Sequence, residues 1–449
     1  MTGPDGSLWW NAHAKDLPDG PGWTLIGKDT FQETEHRITG RHRLPGPVPD
    51  WAEDLFRVAR TAFIADKYIR RSHTPDRWTR RIRISLPVTN PDRWSAPAAL
   101  AHLTGLLQTL TADIWEVAFR PLARHQVEEA FPLTDADHAS EVALFSGGLD
   151  SLSWAAARAR VKDPRPLLLV MFREIGLSRL QRQVYASVKR LSTGRPILLL
   201  PMSQTPNGDG SGSRLETSSR TRSLLYVAGA IRAATSHGVT TVHIPENGQL
   251  AINPPLTPAR SAACSTRSVH PWTLRRLNDL VAAIGGTESG TVHAGYGTVT
   301  VTNPLAQLTK GEVCKAARSA GLGPADLEAT LSCGKPPMRQ RKRQQNGPRV
   351  PNCGICFPCL VRRSGLLHAN GADHTRYAAS PWAKDLPFDR TADWRALQLW
   401  LHEPYGLADL LADVPLPAGT DLTATLGVVA RGRQELGRLP LLAAEETAM

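Results

Sequence analysis

Between Ser140 and about Gly323 the chain alternates short apolar runs with amphipathic stretches, and no other feature limits its fold so strongly. The runs are "VALF", "PLLLVMF", "PILLL", "TTVHI" and "TVTVTNP"; the stretches include "LQRQVYASVKRLS" and "TRSLLYVAGAIRAATSHG". The runs have the length and composition of strands, and apolar residues in the stretches recur at helical spacing. Two strands joined through a helix lie parallel, because the chain must travel back along the sheet before the next strand starts. The expected fold class is therefore α/β, a doubly wound parallel sheet with helices on both faces.

This core is taken as residues 140–330. Residues 1–139 carry several tryptophans and are expected to form an added N-terminal α+β domain. There "TLIGKDTFQETEHRI" reads as extended, "WAEDLFRVARTAFIADKYI" and "SAPAALAHLTGLLQTL" as helices, and "RRIRISLPV" and "DIWEVAFRPL" as strands. Residues 331–371 hold a cysteine cluster, and residues 372–449 read as a Pro-broken helical tail. One Gly/Ser-rich loop, "SQTPNGDGSGSR", is flexible enough to cover a ligand. No apolar run approaches the ~20 residues needed to span a bilayer. The first residues, "MTGPDGSLWWNAHAKDLPDG", contain no secretory apolar segment, so no membrane partner is expected and the cytoplasm is the expected location.

In an open parallel sheet, ligands bind at the carboxyl ends of the strands, and the first strand-to-helix turn is the usual phosphate seat. Here that turn reads "LFSGGLDS", Leu144 to Ser151. Gly147 and Gly148 lack Cβ, so backbone amides can approach an anion; Ser146 and Ser151 add hydroxyls, and the following helix points its positive end at the same place. Asp150 is the odd member, because a carboxylate beside phosphates is repulsive unless a divalent cation or a helix cap absorbs its charge. The alternative is a plain Gly-Gly turn with Asp150 or Ser151 as an N-cap.

A second constellation lies in "SCGKPPMRQRKRQQNGPRVPNCGICFPCLVRR", where Cys333 precedes Cys353, Cys356 and Cys359. Four thiolates with two-residue spacers close a tetrahedral zinc site, and Gly354 permits the tight turn. An iron–sulfur cluster uses similar spacing, and four unrelated thiols are the third reading. A four-cysteine zinc site has no open position, so its role would be structural. Of the remaining cysteines, Cys264 stands apart and Cys314 reads as a core thiol. The net charge of +12 suits an acidic partner such as phosphate, nucleotide or nucleic acid without choosing among them. The arginine-rich "YIRRSHTPDRWTRRIR" reads first as a solvated strand edge guarded by charge, and "KPPMRQRKRQQ" as a solvated run that would also suit tRNA.

The string "SGGLDS" resembles the pyrophosphate loop of the N-type ATP pyrophosphatases, which cleave ATP between its α and β phosphates and adenylate a substrate. It lacks the Gly-Lys-Ser/Thr ending of a Walker loop. The resemblance implies a core of the adenine-nucleotide α-hydrolase (HUP) type. Leu144, Phe145, Ser146, Gly147, Gly148, Leu149, Asp150, Ser151 and Leu152 would then surround ATP and Mg2+.

Together with "CGICFPCLVRRSGL", the loop resembles the 7-cyano-7-deazaguanine synthases (the QueC family), over about Val142 to Gly365. That resemblance implies Zn2+ on Cys333, Cys353, Cys356 and Cys359, with Arg362 or Arg363 as the family's arginine. In "SSRTRSLLYVAGAIRAA" it implies that Ser219 and Arg220 face the nucleotide; in "NPLAQLTKGEVCKAARSAGL" it implies that Pro304 ends a strand and Lys310 lies near the phosphates. Asp150, Ser151 and Lys310 would be the catalytic residues.

The chain also departs from the family. The aromatic-Gly-Gln-Arg-His segment after the second strand is replaced by "MFREIGLSRLQRQ", and the Gly-x-x-x-x-Asp segment after the fourth by "HIPENGQLAINPPLTPARSAACS". Glu246 and Asn247 stand where ligand-reading groups belong, and a carboxylate there would accept from a guanine-like edge; a polar loop is the other reading. With its N-terminal "DRWTRRIRISLPVTNPDRW" region, the chain is most similar to the QueC-like proteins of Qat-type bacterial anti-phage islands. That resemblance implies a 7-deazaguanine carboxylate substrate, and a partner protein of the same defence system whose N-terminus accepts the activated group. The other readings are an ordinary synthase, a tRNA-modifying relative using Cys264, and a nucleotide-sensing module without chemistry.

Overall fold

Along Leu167–Phe172 every second side chain enters a different core, as a strand buried on both faces requires. Leu168, Val170 and Phe172 join one apolar cluster, and Leu167, Leu169 and Met171 another. The computed structural model describes residues 3–11, 16–33, 44–122, 137–173, 176–208, 214–257, 267–285, 298–334, 352–383 and 386–440.

Two sheets result. The first is built from β1 (Gly6–Trp10), β2 (Thr24–Ile26), β3 (Arg81–Val88) and β4 (Ile114–Pro121) in the order β2-β1-β3-β4. The second holds β5 (Glu141–Leu144), β6 (Leu167–Phe172), β7 (Ile197–Met202), β8 (Thr241–His243) and β9 (Thr300–Thr302) in the order β7-β6-β5-β8-β9. Every pairing in both is parallel. From the central β5 the chain winds outward to β6 and β7, then crosses back to β8 and β9. The order therefore reverses between β5 and β8, and that is where a doubly wound sheet opens a crevice.

The helices are α1 (Asp50–Tyr68), α2 (Pro91–Ser95), α3 (Pro97–Thr111), α4 (Leu149–Ala159), α5 (Ser178–Leu191), α6 (Arg222–Ser236), α7 (Gly248–Ile252) and α8 (Pro271–Ile284). They continue with α9 (Lys310–Ser319), α10 (Pro324–Glu328), α11 (Phe357–Asn370), α12 (Ala392–His402), α13 (Leu407–Asp413) and α14 (Leu422–Leu436). Helices α4, α5 and α9 cover one face of the second sheet. On its other face α6 packs against α1, and α8 against α3, so the helices of both sheets form one shared layer. A single apolar cluster runs through that layer from Leu8 to Val301.

The N-terminal sheet corrects the α+β expectation. Helix α1 intervenes between β2 and β3, and α2 and α3 between β3 and β4, so those strands run parallel; β1 and β2 do so without a helix among the described residues. Of the arginines expected at a solvated edge, Arg77 is exposed and Arg70, Arg81 and Arg83 are half-buried, but Arg71 and Arg80 are buried. Arg80 is fully buried and donates to Asp66 Oδ1 (2.7 Å) and Asp113 Oδ2 (2.5 Å), and Arg71 grips both oxygens of Asp113 (2.9 and 2.8 Å). The second oxygen of Asp66 accepts from the backbone N–H and hydroxyl of Thr221, at the start of α6, which ties the two sheets together.

The expected tail helices form as α12–α14. They build a third core with α11 and with Leu250, Ile252 and Leu256. Among the described residues no helix is long and apolar enough to cross a membrane.

Candidate functional site

The strand β5 ends at Leu144, directly beside the crevice, and the chain turns into α4 through Ser146–Gly148. Gly147 sits at φ +81°, which favours glycine. A Cβ on Gly147 would press on Gln181 Cγ (3.2 Å), and one on Gly148 on the Leu331 carbonyl (3.1 Å). Gln181 donates to the carbonyls of Ser146 (3.3 Å) and Phe172 (3.0 Å), so α5 pins the turn to the end of β6. Ser146 Oγ accepts from Gly148 N (3.2 Å) and lies 3.3 Å from Ser151 Oγ. Phe145, Leu149 and Leu152 are buried anchors, and Leu144 is half-buried. The N-cap of α4 is Gly148, with no side-chain cap among the described residues, so neither Asp150 nor Ser151 plays the capping role.

Asp150 instead points into the protein. Its Oδ2 accepts from Lys310 Nζ (2.5 Å) and Asn247 Nδ2 (3.1 Å), which arrive from the carboxyl ends of β9 and β8. The Asn247 amide also donates to Glu246 Oε1 (3.0 Å) and so bridges two carboxyls. Burial alone would raise the Asp150 carboxyl, but the Lys310 ammonium and its hydrogen bonds hold it below the usual carboxylate range. Glu246 moves the other way: burial, then the adjacent Asp150 charge, push it well above its ordinary value. Asn303 fastens the loops after β8 and β9, donating to the Glu246 carbonyl (2.7 Å) and accepting from Glu246 N (3.1 Å).

Among the described residues no N–H donates to the buried Asp150 Oδ1, and the Glu246 carboxyl lies within hydrogen-bonding reach of Asp150. A carboxylate oxygen that no N–H reaches, beside a second carboxyl, is the donor set a hard divalent cation takes. Asp150 and Glu246 therefore fit Mg2+.

Lys310 opens α9, whose N-cap Thr309 forms a capping box with Glu312. Its stem passes so close to α11 that a Cβ on Gly365 would lie 2.5 Å from Lys310 Cγ. The amino end of α9 is also held by Glu435 of α14, a residue that sequence reasoning missed. Nothing local in "RGRQELGRLP" marks it. For Asn303, the signal was its place just past an apolar strand.

Of the expected site residues, Ser146, Gly147, Gly148, Asp150, Ser151, Glu246, Asn247 and Lys310 come together at the crevice. Asn247 has its amide on Asp150 and Glu246, and its carbonyl on Leu250 N (3.1 Å), where it caps α7. Arg220 lies elsewhere: it donates to the Thr111 carbonyl (3.0 Å) and stacks on Trp78. Of the expected flexible loop, residues 209–213 lie outside the described residues, and its flanks are pinned by Asn207 N to Thr30 O (2.7 Å) and Arg71 N to Glu216 Oε2 (3.0 Å). Cys264 and the basic run at 335–345 also lie outside the described residues. Cys314 is a core thiol as expected, pushed up to about 12 by burial.

The four cysteines converge. All their sulfurs lie within 4.8 Å of one another, with Cys333–Cys356 at 3.9 Å and Cys353–Cys359 at 3.8 Å. Sulfurs bound at 2.3 Å to a tetrahedral zinc are roughly 3.8 Å apart, so the cluster fits zinc. Gly354, at φ +85°, would clash with the Ala379 carbonyl (2.1 Å) if it carried a Cβ. Cys356 is the N-cap of α11, whose positive end favours a thiolate. Arg362 is buried on Thr330 Oγ1 (2.7 Å) and Leu327 O (2.9 Å), and Arg363 stacks on Tyr377; both hold the cysteine arms rather than an open site. Leu331, two residues before Cys333, donates to the Gly147 carbonyl (3.4 Å), so the cluster abuts the glycine turn.

The class these features define is a parallel α/β protein with an anion-suited turn and, at its switch point, a carboxylate pair of which Asp150 is buried and Glu246 half-buried, stapled by a four-cysteine cluster. Part of the chain is similar to a 7-cyano-7-deazaguanine synthase of Syntrophobacter fumaroxidans (strain DSM 10017 / MPOB), 35% identical over 79 residues. The match covers 18% of this chain and only 28% of that protein. No family model matches the chain, and no solved structure matches it.

Proposed function

We propose that the chain is an ATP-dependent, carbon–nitrogen bond-forming ligase that adenylates the carboxylate of a 7-deazaguanine and passes the acyl group to a nitrogen acceptor. The observation that carries this reading is the joining of Asp150, Glu246, Asn247 and Lys310 beneath the "SGGLDS" turn at the switch point. The similarity to a 7-cyano-7-deazaguanine synthase supports the substrate class.

In this reading the substrate carboxylate attacks the α phosphorus of ATP, the α–β bridge breaks, and pyrophosphate leaves. Backbone amides of the Ser146–Gly148 turn, the hydroxyls of Ser146 and Ser151, and the positive end of α4 receive its charge. Lys310 neutralises Asp150, which otherwise repels the departing anion. A divalent cation held by Asp150 and Glu246 would screen the phosphate charge. An amine then attacks the acyl carbon and AMP leaves.

For the acceptor we propose the N-terminus of a partner protein, in anti-phage defence within the cytoplasm. This finer reading rests on the resemblance to the Qat-type proteins, with residues 1–139 as the docking unit, residues 140–330 as the ATP unit and residues 331–371 as the zinc segment. A tRNA-modifying role would rest on Cys264, which lies outside the described residues.

The test supplies purified chain with ATP, Mg2+ and 7-carboxy-7-deazaguanine and measures pyrophosphate, with intact-mass spectrometry of a candidate partner. Pyrophosphate release that needs the acid, and a partner heavier by the acyl-deazaguanine, are expected. No release overturns the ligase reading; an unmodified partner beside efficient nitrile production returns the chain to the ordinary synthase class.

A further inference from the structure

One face of α14 touches both arms of the crevice. Val428, Arg431, Gly432 and Glu435 recur at i, i+3, i+4 and i+7, which lines them on one side of the helix. Val428 and Gly432 meet the Asn247 arm: a Cβ on Gly248 would lie 3.0 Å from Val428 Cγ1, and one on Gly432 2.7 Å from Gln249 Cδ. Arg431 and Glu435 meet the Lys310 arm. Arg431 bonds Glu312 Oε1 (2.7 Å) and the Gln307 carbonyl (2.8 Å). Glu435 is 3% exposed; it accepts from the Thr309 hydroxyl through Oε1 and from Gly311 N through Oε2 (2.9 Å).

Thr309 and Gly311 flank Lys310, and the amino end of α9 is a place where an anion would otherwise bind. Glu435 fills it from within the chain, and Gly311 leaves just enough room, since a Cβ there would lie 2.4 Å from Glu435 Oε1. We propose that Glu435 is a positioning residue: it fixes the first turn of α9 and thereby keeps Lys310 Nζ on Asp150. Without it the turn frays, Lys310 withdraws, and the Asp150 carboxylate faces the anion seat uncompensated.

This inference rests on the reading of the "SGGLDS" turn and Lys310 as a pyrophosphate seat. The probe is inorganic pyrophosphate with Mg2+, titrated calorimetrically into the full chain and into Lys310→Met, Glu435→Ala, Glu435→Gln and the Lys310→Met/Glu435→Ala pair. Lys310→Met and Glu435→Ala should each weaken binding about tenfold, since a displacement of about 1 Å at a charged contact is enough. The double variant should bind no worse than Lys310→Met alone, because both changes act through one group. Glu435→Gln keeps an oxygen for Gly311 N and should recover most of the affinity. A purely structural Glu435 would instead lower the melting temperature and leave the affinity of the folded protein unchanged; that result, or an additive loss in the pair, overturns the proposal while the seat stands. A chain that does not bind pyrophosphate, or a Lys310→Met variant that binds normally, removes the seat and the inference with it.

Discussion

The two sheets each carry a buried carboxylate cluster facing a buried cation, and the clusters are finished differently. In the first, Asp66 and Asp113 have every oxygen hydrogen-bonded by Arg80, Arg71 or Thr221. In the second, Asp150 meets a single ammonium, has one oxygen that no N–H among the described residues reaches, and has Glu246 pressed against it. Unpaired buried polar atoms destabilise a fold, so a saturated cluster reads as structure and an unsaturated one as a place waiting for a ligand. The difference lies in donors, not in charge. Arginine brings a rigid fork of N–H groups, and lysine a single ammonium.

The sharpest test of that contrast is Asp150→Asn. It should cut pyrophosphate release about a thousandfold by removing a ligand charge. The fold should survive, because Glu246, relieved of its neighbour's repulsion, can ionise beside Lys310. Retained turnover would erase the distinction between the clusters.

Arg80→Met does the reverse. It leaves two buried carboxylates short of donors and should cost about 3–5 kcal/mol of stability, read from the urea midpoint. Pyrophosphate affinity of the folded fraction should be unchanged. A loss under about 1 kcal/mol, the range of surface pairs, would show the first cluster to be no better finished than the second.

A third buried contact ties the entry to β5 onto α6. His237 Nδ1 accepts from Ala139 N (2.9 Å), and burial, with His138 nearby, lowers its pKa from 6.5 to about 4. The unfolded chain takes this proton first as pH falls, so stability should drop between pH 6.5 and about 4, by up to about 3 kcal/mol. Chemical denaturation of His237→Gln across that window should show a flatter slope; an unchanged slope would move the effect to other groups.

The smallest expected effect joins the crevice to the cysteines. Elemental analysis should find about one zinc per chain. Its removal by a chelator, or Cys356→Ser, should weaken pyrophosphate binding about fivefold through the Leu331–Gly147 contact. Iron with visible absorbance would refute the zinc reading.

What the sequence disclosed follows the range of the interactions involved. The β5–β9 alternation, the glycine turn and the cysteine spacing are local patterns, and each appeared where expected. Lys310 stands 160 residues from Asp150, and Glu435 124 residues from Gly311; no local pattern encodes such pairs. Lys310 was legible only through family resemblance, and Glu435 not at all. Arg80 of "RRIR" misled because its burial depends on acids on α1 and before β4, and charge alone looks like surface. Arg220 shows the converse: a helix-start arginine whose partners are Thr111 and Trp78.

The shared helical layer has a consequence for how the protein is made. Helices α1 and α3 are synthesised early, yet their outer faces are covered only by α6 and α8. Between the emergence of Pro121 and that of Ile284 the ribosome needs about 10 to 30 s at ordinary rates. Through that interval the nascent chain displays a half-covered apolar surface, which makes it a client for chaperones. Synonymous codons that slow the passage from Pro121 to Ile284 would lengthen the exposure and lower the yield of soluble protein.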